Sequence, residues 1–134
     1  MDIAIVGATG NVGRKTLEVL QQKNLNIDNL YLVASPNSAG KQLEFNGKKY
    51  SIENLETYNF SKAKITFFAA GGKISEQYAE KAAKHTTVID NSSYFRMDPD
   101  VPLIVPQVNA KDIQNMKKNI IANPNCSTAP VSYT

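Results

Sequence analysis

Near the N-terminus, Gly7-Ala8-Thr9-Gly10-Asn11-Val12-Gly13 spaces three glycines as GxxGxxG. Glycines at this spacing let the backbone turn tightly and approach a pyrophosphate at the start of a helix, where free N–H groups and the helix dipole favour an anion. Close strand–helix packing alone would also use such glycines, but the position directly after an N-terminal apolar run favours a dinucleotide. Far along the chain, Asn123-Pro124-Asn125-Cys126-Ser127-Thr128 holds the only cysteine. A helix starting near Cys126 would place the thiol in a positive field, lower its pKa and make it a nucleophile towards a carbonyl. A lone cysteine is also often a small buried residue, and here its place after a late strand favours chemistry. Between these motifs, Asn91-Ser92-Ser93-Tyr94-Phe95-Arg96-Met97-Asp98 is a polar loop. Its Arg96 either clamps a phosphate by bidentate hydrogen bonds or pairs with Asp98 at the surface.

The elements that must position these residues alternate. Ile3 to Val6 is a short continuous apolar run, the pattern of a strand buried on both faces of a parallel sheet. From Asn11 to about Lys23, Gly13, Leu17 and Leu20 fall at helical spacing. Leu30 to Ala34 is a second strand, placed for a right-handed crossover. Asn46-Gly47 between short β-prone runs from Gln42 to Tyr50 predicts a hairpin inserted on the basic pattern. Ile65 to Ala69 is a strand, and Ile74, Tyr78, Ala79 and Ala82 form a helix stripe. Strands follow at Thr87 to Ile89, Leu103 to Val105 and Ile120 to Ala122, with a short helix near Ala110 to Met116. The alternation predicts a doubly wound, Rossmann-like α/β domain: a mostly parallel sheet with helices on both faces.

After the second strand, a dinucleotide-binding domain usually shows which nicotinamide cofactor it holds, because an acid there pairs with the ribose hydroxyls of NAD and repels a 2′-phosphate. Here the run is Ala34-Ser35-Pro36-Asn37-Ser38-Ala39-Gly40-Lys41, without an acid. Asn37, Ser38 and Lys41 are able to hydrogen-bond a phosphate, so NADP is expected. His85, the only histidine, stands at the end of the second helix and is not expected to be a catalytic base.

Composition narrows the function classes. With 134 residues, 42% of them hydrophobic, and a net charge of +3, the chain reads as one globular domain over residues 1–134. No basic stripe interleaved with aromatics argues for nucleic acid, and no apolar run reaches the length of a membrane span. The N-terminus lacks the pattern of a signal peptide, so a cytoplasmic location is expected. One cysteine and one histidine leave no basis for a zinc cluster.

Taken together in this order, the glycine turn, Asn37-Ser38-Ala39-Gly40-Lys41, Val88-Ile89-Asp90-Asn91-Ser92-Ser93 with Phe95-Arg96-Met97, and the cysteine motif resemble aspartate-semialdehyde dehydrogenase, from residue 1 to about 128. The resemblance implies NADPH-dependent reduction of β-aspartyl phosphate to aspartate semialdehyde, with release of phosphate, on the route to lysine, methionine, threonine and cell-wall precursors. Gly7 and Gly13 are expected at the cofactor from the glycine spacing itself, and the resemblance implies that Thr9, Gly10, Asn11 and Val12 hold the dinucleotide and that Asn37 and Ser38 lie at its 2′-phosphate end. Arg96 and Asn125 would hold the substrate phosphoryl group, and Cys126 would become the acyl-thioester. The family commonly has arginine where Asn37 stands. Its second half carries the histidine base, a glutamine beside the cysteine, a substrate-carboxylate arginine and much of a homodimer interface. The sequence thus reads as a cofactor-binding half that stops shortly after the cysteine motif, lacks the catalytic and dimerisation domain, and is not expected to turn over alone. N-acetyl-γ-glutamyl-phosphate reductase shares the fold and chemistry but usually has glycine where Asn125 stands. A non-catalytic nucleotide-binding or assembly module is the alternative from another class.

Overall fold

Ile3, Ala4, Ile5 and Val6 are all buried because the strand that contains them, β1 (Asp2–Val6), has neighbours on both sides and cover on both faces. The computed structural model describes residues 2–23, 27–92, 94–95 and 119–122. The expected strand at residues 103–105, the expected helix near 110–116, and Arg96, Asn125 and Cys126 lie outside the described residues.

Side chains alternate along β1. Ile3 and Ile5 join Leu17 and Leu20 of helix α1 (Asn11–Gln22) and Leu30, Leu32 and Ala34 of β2 (Asn29–Ala34) on one face. Ala4 and Val6 join Val33, Phe68 and Val88, with Ala79 and Ala82 of helix α2 (Gly72–Ala83), on the other. Period-two alternation in the strands thus meets period-3.6 stripes on two helices, one per face. This is the doubly wound arrangement that the alternation predicts.

The sheet also contains β3 (Gln42–Phe45), β4 (Lys48–Asn54), β5 (Ile65–Phe68), β6 (Thr87–Asp90) and β7 (Ile120–Ala122). The order is β3-β4-β2-β1-β5-β6-β7, and every pair is parallel except β3 with β4. Asn46 (φ 51°) and Gly47 (φ 78°) make the hairpin, as two left-handed residues in a two-residue turn require. The hairpin is more than the insertion its sequence suggests. Its second strand runs on to Asn54 and pairs in parallel with β2, Leu32 against Ile52 and Ala34 against Asn54. β4 is therefore a full member of the sheet.

Asn119 sets the entry of β7. It adopts φ 59°, its amide donates to the carbonyls of Ala83 (3.1 Å) and Thr86 (2.8 Å), and its Oδ1 accepts from Thr87 Oγ1 (3.1 Å). One side chain thereby fastens the C-terminus of α2, the start of β6 and the start of β7. Asparagine suits the position because its short amide tolerates left-handed backbone and bonds locally.

On the α2 face, the segment after β4 covers β2 with aromatic rings. Tyr58 lies 6.1 Å from Tyr31 and 5.1 Å, edge-on, from Phe60, which stacks on Phe68. Lys62 sits over the Tyr31 and Tyr58 rings and 3.5 Å from Glu53 Oε1. Tyr58 Oη is buried without a hydrogen-bond partner among the described residues. Burial first, and then the nearby Glu53 carboxylate, push its pKa well above the ordinary phenol value of 10.0. The unfolded chain therefore releases this proton as pH passes 10.0 while the folded chain still holds it, so stability falls as solution becomes more alkaline. Tyr58→Phe is expected to remove that contribution and, by deleting an unsatisfied hydroxyl, to raise stability at neutral pH by about 1 kcal/mol. Urea unfolding of both proteins at neutral and alkaline pH checks this, and parallel losses in the two would sink it.

Candidate functional site

β1, β2, β5, β6 and β7 all end at one edge of the sheet, with Val6, Ala34, Phe68, Asp90 and Ala122. The chain leaves β1 towards β2 on one side and β5 on the other, so this edge holds the switch point at which open α/β sheets take ligands. The glycine turn occupies it.

Gly7 has φ +87°, and a Cβ there would lie 2.8 Å from the carbonyl carbon and oxygen of Ala69. It needs glycine for its backbone angle and for the close approach of the loop after β5. The Gly7 and Ala8 amides donate to the Val33 carbonyl at 2.8 and 3.3 Å, which ties the turn to β2. Gly13 needs glycine for space alone: a Cβ there would meet Gly7 O at 2.0 Å. Gly10 is different, since its nearest contact from a Cβ is an ordinary 3.5 Å. As N-cap of α1 it is extended, brings no side chain to the helix end, and is followed by a first turn without an acid. The leading N–H groups of a helix have no partner within it, so the positive end of α1 is left for an anion. Asn11 and Val12 are exposed there.

The loop after β2 lies alongside. Ser38 N–H donates to Ser35 O at 2.9 Å, and Gly40 N–H to Ile52 O at 2.9 Å. This folds the loop back so that Ser38 Oγ stands 3.5 Å from Thr9 Oγ1, 29 residues away in sequence. At that length the pair is a loose contact, and both hydroxyls keep capacity for another partner. Asn37 is exposed in the same turn. Arg14, one turn into α1, donates through Nε to Thr9 O at 3.1 Å, which adds a cation beside the turn.

Between these parts runs a cleft of about 340 Å³. Gly7, Thr9 and Gly10 form its floor, Ser35 and Leu55 one end, and Ala69, Ala70 and Ile74 the other. A second groove, of about 390 Å³, lies between α1 and the hairpin, with Leu17, Gln21, Leu43 and Glu44 on its walls. It is somewhat larger, but the backbone amides of α1 beside it are committed within the helix, and it lacks the glycine approach. The chemistry favours the cleft at the strand ends.

The structure thus brings Gly7, Thr9, Gly10, Asn11, Val12, Gly13, Asn37 and Ser38 to one edge. Arg96, Asn125 and Cys126 fall outside the described residues, although the strands that precede them in sequence, β6 and β7, end at that edge. His85 is exposed just beyond α2, before β6 begins, at the opposite edge of the sheet. Sequence reasoning does not single out Leu55, Ala69, Ala70 or Ile74 as cleft residues. The rule that ligands sit beyond the carboxyl ends of parallel strands would point to the residues after β4 and β5. Among the described residues no group of His, Cys, Asp or Glu is placed to hold a metal ion, and no described helix is long and apolar enough to cross a membrane.

Residues 2–116 match the family described as semialdehyde dehydrogenase, NAD binding domain. The chain is 54% identical over 129 residues to the aspartate-semialdehyde dehydrogenase of Aquifex aeolicus, covering 94% of this chain and 38% of that one. It superposes on a crystal structure of aspartate semialdehyde dehydrogenase II complexed with ASA from Vibrio cholerae with a TM-score of 0.91 at 47% identity, over 97% of this chain and 43% of that one. The Candida albicans enzyme, solved with NADP, gives 0.77 at 26% identity, over 96% and 43%. The chain spans well under half the length of each of these three relatives.

Proposed function

The chain belongs to the semialdehyde dehydrogenase family through its NAD-binding domain, and from that premise we propose that it is the NADPH-binding part of an aspartate-semialdehyde dehydrogenase. The observation that carries the reading is the cradle made by Gly7 and Gly13, which a Cβ at either position would fill, opening onto a helix end beside the Thr9–Ser38 pair. A pyrophosphate fits a glycine turn with free N–H groups. An acid that would reject a 2′-phosphate is missing after β2, and two hydroxyls and the Asn37 amide stand there instead.

In this reading the α1 N-terminus, with Asn11 and Val12, takes the pyrophosphate, and Thr9, Ser38 and Asn37 take the 2′-phosphate end. Cys126, four residues beyond the end of β7 in sequence, attacks the carbonyl carbon of β-aspartyl phosphate. The C–S bond forms, the bond between the acyl carbon and the bridging phosphate oxygen breaks, and inorganic phosphate leaves with the electron pair. Arg96 and Asn125 hold the phosphoryl oxygens, and the Cys126 backbone N–H with the Asn125 amide would donate to the oxyanion that develops on the carbonyl oxygen during attack. A dinucleotide held by the glycine turn, Thr9 and Ser38 would supply, when bound, the hydride that takes the acyl group to the aldehyde oxidation level. Cys126 then departs as thiolate and is ready for another cycle.

Titration of the chain with NADPH and NADH, followed by nucleotide fluorescence, tests the first part. Saturable binding with preference for NADPH is the expected result, and no binding of either nucleotide would overturn the proposal. Phosphate-dependent oxidation of aspartate semialdehyde, assayed in parallel, is expected to be undetectable in this chain alone, because the resemblance puts the base in sequence that these residues do not include.

A further inference from the structure

Asp90, at the end of β6, is fully buried and its carboxylate collects three donors. Ser75 Oγ donates to Oδ1 at 2.7 Å, Ser92 N–H to Oδ1 at 2.9 Å, and Ser92 Oγ to Oδ2 at 2.8 Å. Ser75 is itself fully buried and lies in the first turn of α2, its amide donating to Gly71 O at 3.2 Å. Ser92 Oγ in turn accepts from Tyr94 N–H at 3.3 Å. A buried carboxylate survives only when its acceptor capacity is met. Here the groups that meet it come from two separate segments, the start of α2 and the loop after β6.

Those segments bound one end of the cleft. Ala69 and Ala70, with Ile74 of α2's first turn, form its far wall. On the side of β1 that wall is set by Gly7, against which Ala69 lies closer than a Cβ would allow, and by Ala69 N–H donating to Val6 O at 2.8 Å. On the side of β6 it is set by Asn91 N–H donating to Phe68 O at 2.9 Å and by the Ser75–Asp90 bond. Ser75 is the neighbour of Ile74, and its hydroxyl holds the turn that carries Ile74 against β6.

We propose that Asp90 is a positioning residue for the nicotinamide end of the cleft, acting through Ser75 on the wall formed by Ala69, Ala70 and Ile74. The inference rests on the proposed dinucleotide site. In dinucleotide-binding sheets the adenosine ribose lies at the end of the second strand, which is the Ser35–Leu55 end here. The opposite end then receives the reactive half, and Asp90 fixes that half without touching it.

The test compares two ligands on the full 134-residue chain: NADPH, which spans the cleft, and 2′,5′-ADP, which reaches only its adenosine end. Ser75→Ala deletes one hydroxyl and leaves Asp90 with its Ser92 donors. It is expected to keep the circular dichroism spectrum, to weaken NADPH about tenfold and to leave 2′,5′-ADP unchanged. Asp90→Asn keeps an acceptor for Ser75 Oγ and the Ser92 amide and is expected to bind both ligands normally, whereas Asp90→Ala is expected to lose NADPH selectively or to unfold. Equal weakening of both ligands by Ser75→Ala, or no change in either, would overturn the positioning role while leaving the dinucleotide site intact. Equal loss in Asp90→Asn and Asp90→Ala would overturn the account based on acceptors. An unsubstituted chain that binds neither ligand would overturn the dinucleotide site and this inference with it.

Discussion

Gly13→Ala is expected to abolish NADPH binding and to lower the stability of the domain by about 3 kcal/mol, the upper part of the usual range for overpacking. The added methyl would sit 2.0 Å from the Gly7 carbonyl oxygen and 2.8 Å from Ala8 Cα. Both are backbone atoms of the turn, so no rotamer change relieves the contact. The N-terminus of α1 must instead move away from β1, and the helix loses its seat and its alignment with the turn. Leu17 and Leu20, which α1 buries against Ile3, Ile5 and Leu32, would repack as well. Gly10→Ala is the internal control. Its methyl meets Gly7 O at an ordinary 3.5 Å, so the fold should survive, and any loss of nucleotide affinity would report on approach to the helix end alone. Urea midpoints and NADPH titrations of the two variants separate these effects. A Gly13→Ala protein with an unchanged midpoint would mean that α1 does not seat on the turn as described.

Residues whose partners are near in sequence, or whose pattern repeats, are legible from the amino-acid sequence alone. Ile3 to Val6 reads as a doubly covered strand because nothing polar interrupts it, and GxxGxxG after it can be placed because strand, turn and helix are consecutive. Asn46-Gly47 carries its own conformational preference. Residues whose role depends on a distant partner are not legible in this way. Ser75 and Asp90 are polar, and no apolar periodicity marks them as buried; their burial goes with a bond across 15 residues. Asn119 is one more polar residue ahead of a strand until its amide is seen to reach Ala83 and Thr86. β4 joins the sheet at its end rather than at its hairpin, and the hairpin is the part with a sequence signature. Cys126, Asn125 and Arg96 are legible as motifs alone, since they lie outside the described residues.

Ser38→Asp is expected to reverse the proposed preference for NADPH over NADH. Ser38 is held by its amide's bond to Ser35 O and faces Thr9 Oγ1, where the proposal places the 2′-phosphate. A carboxylate added there would confront a phosphate of the same sign, and juxtaposed like charges cost several kcal/mol. NADPH should therefore weaken about 100-fold or more, since each tenfold step in affinity corresponds to about 1.4 kcal/mol. NADH lacks the phosphate and offers ribose hydroxyls that a carboxylate can accept from, so its affinity should hold or rise. Ser38→Ala removes the hydroxyl without adding charge and separates lost bonding from repulsion. It should weaken NADPH about tenfold, the scale of one hydrogen bond to a charged group, with little effect on NADH. Fluorescence titrations of both nucleotides against the three proteins give the ratio of dissociation constants directly. If Ser38→Asp leaves the NADPH affinity intact, the 2′-phosphate lies away from the Thr9–Ser38 pair, and the exposed Asn37 and Lys41 become the next positions to probe. If NADPH alone is lost, the missing acid after β2 is what lets this glycine turn accept a phosphorylated dinucleotide.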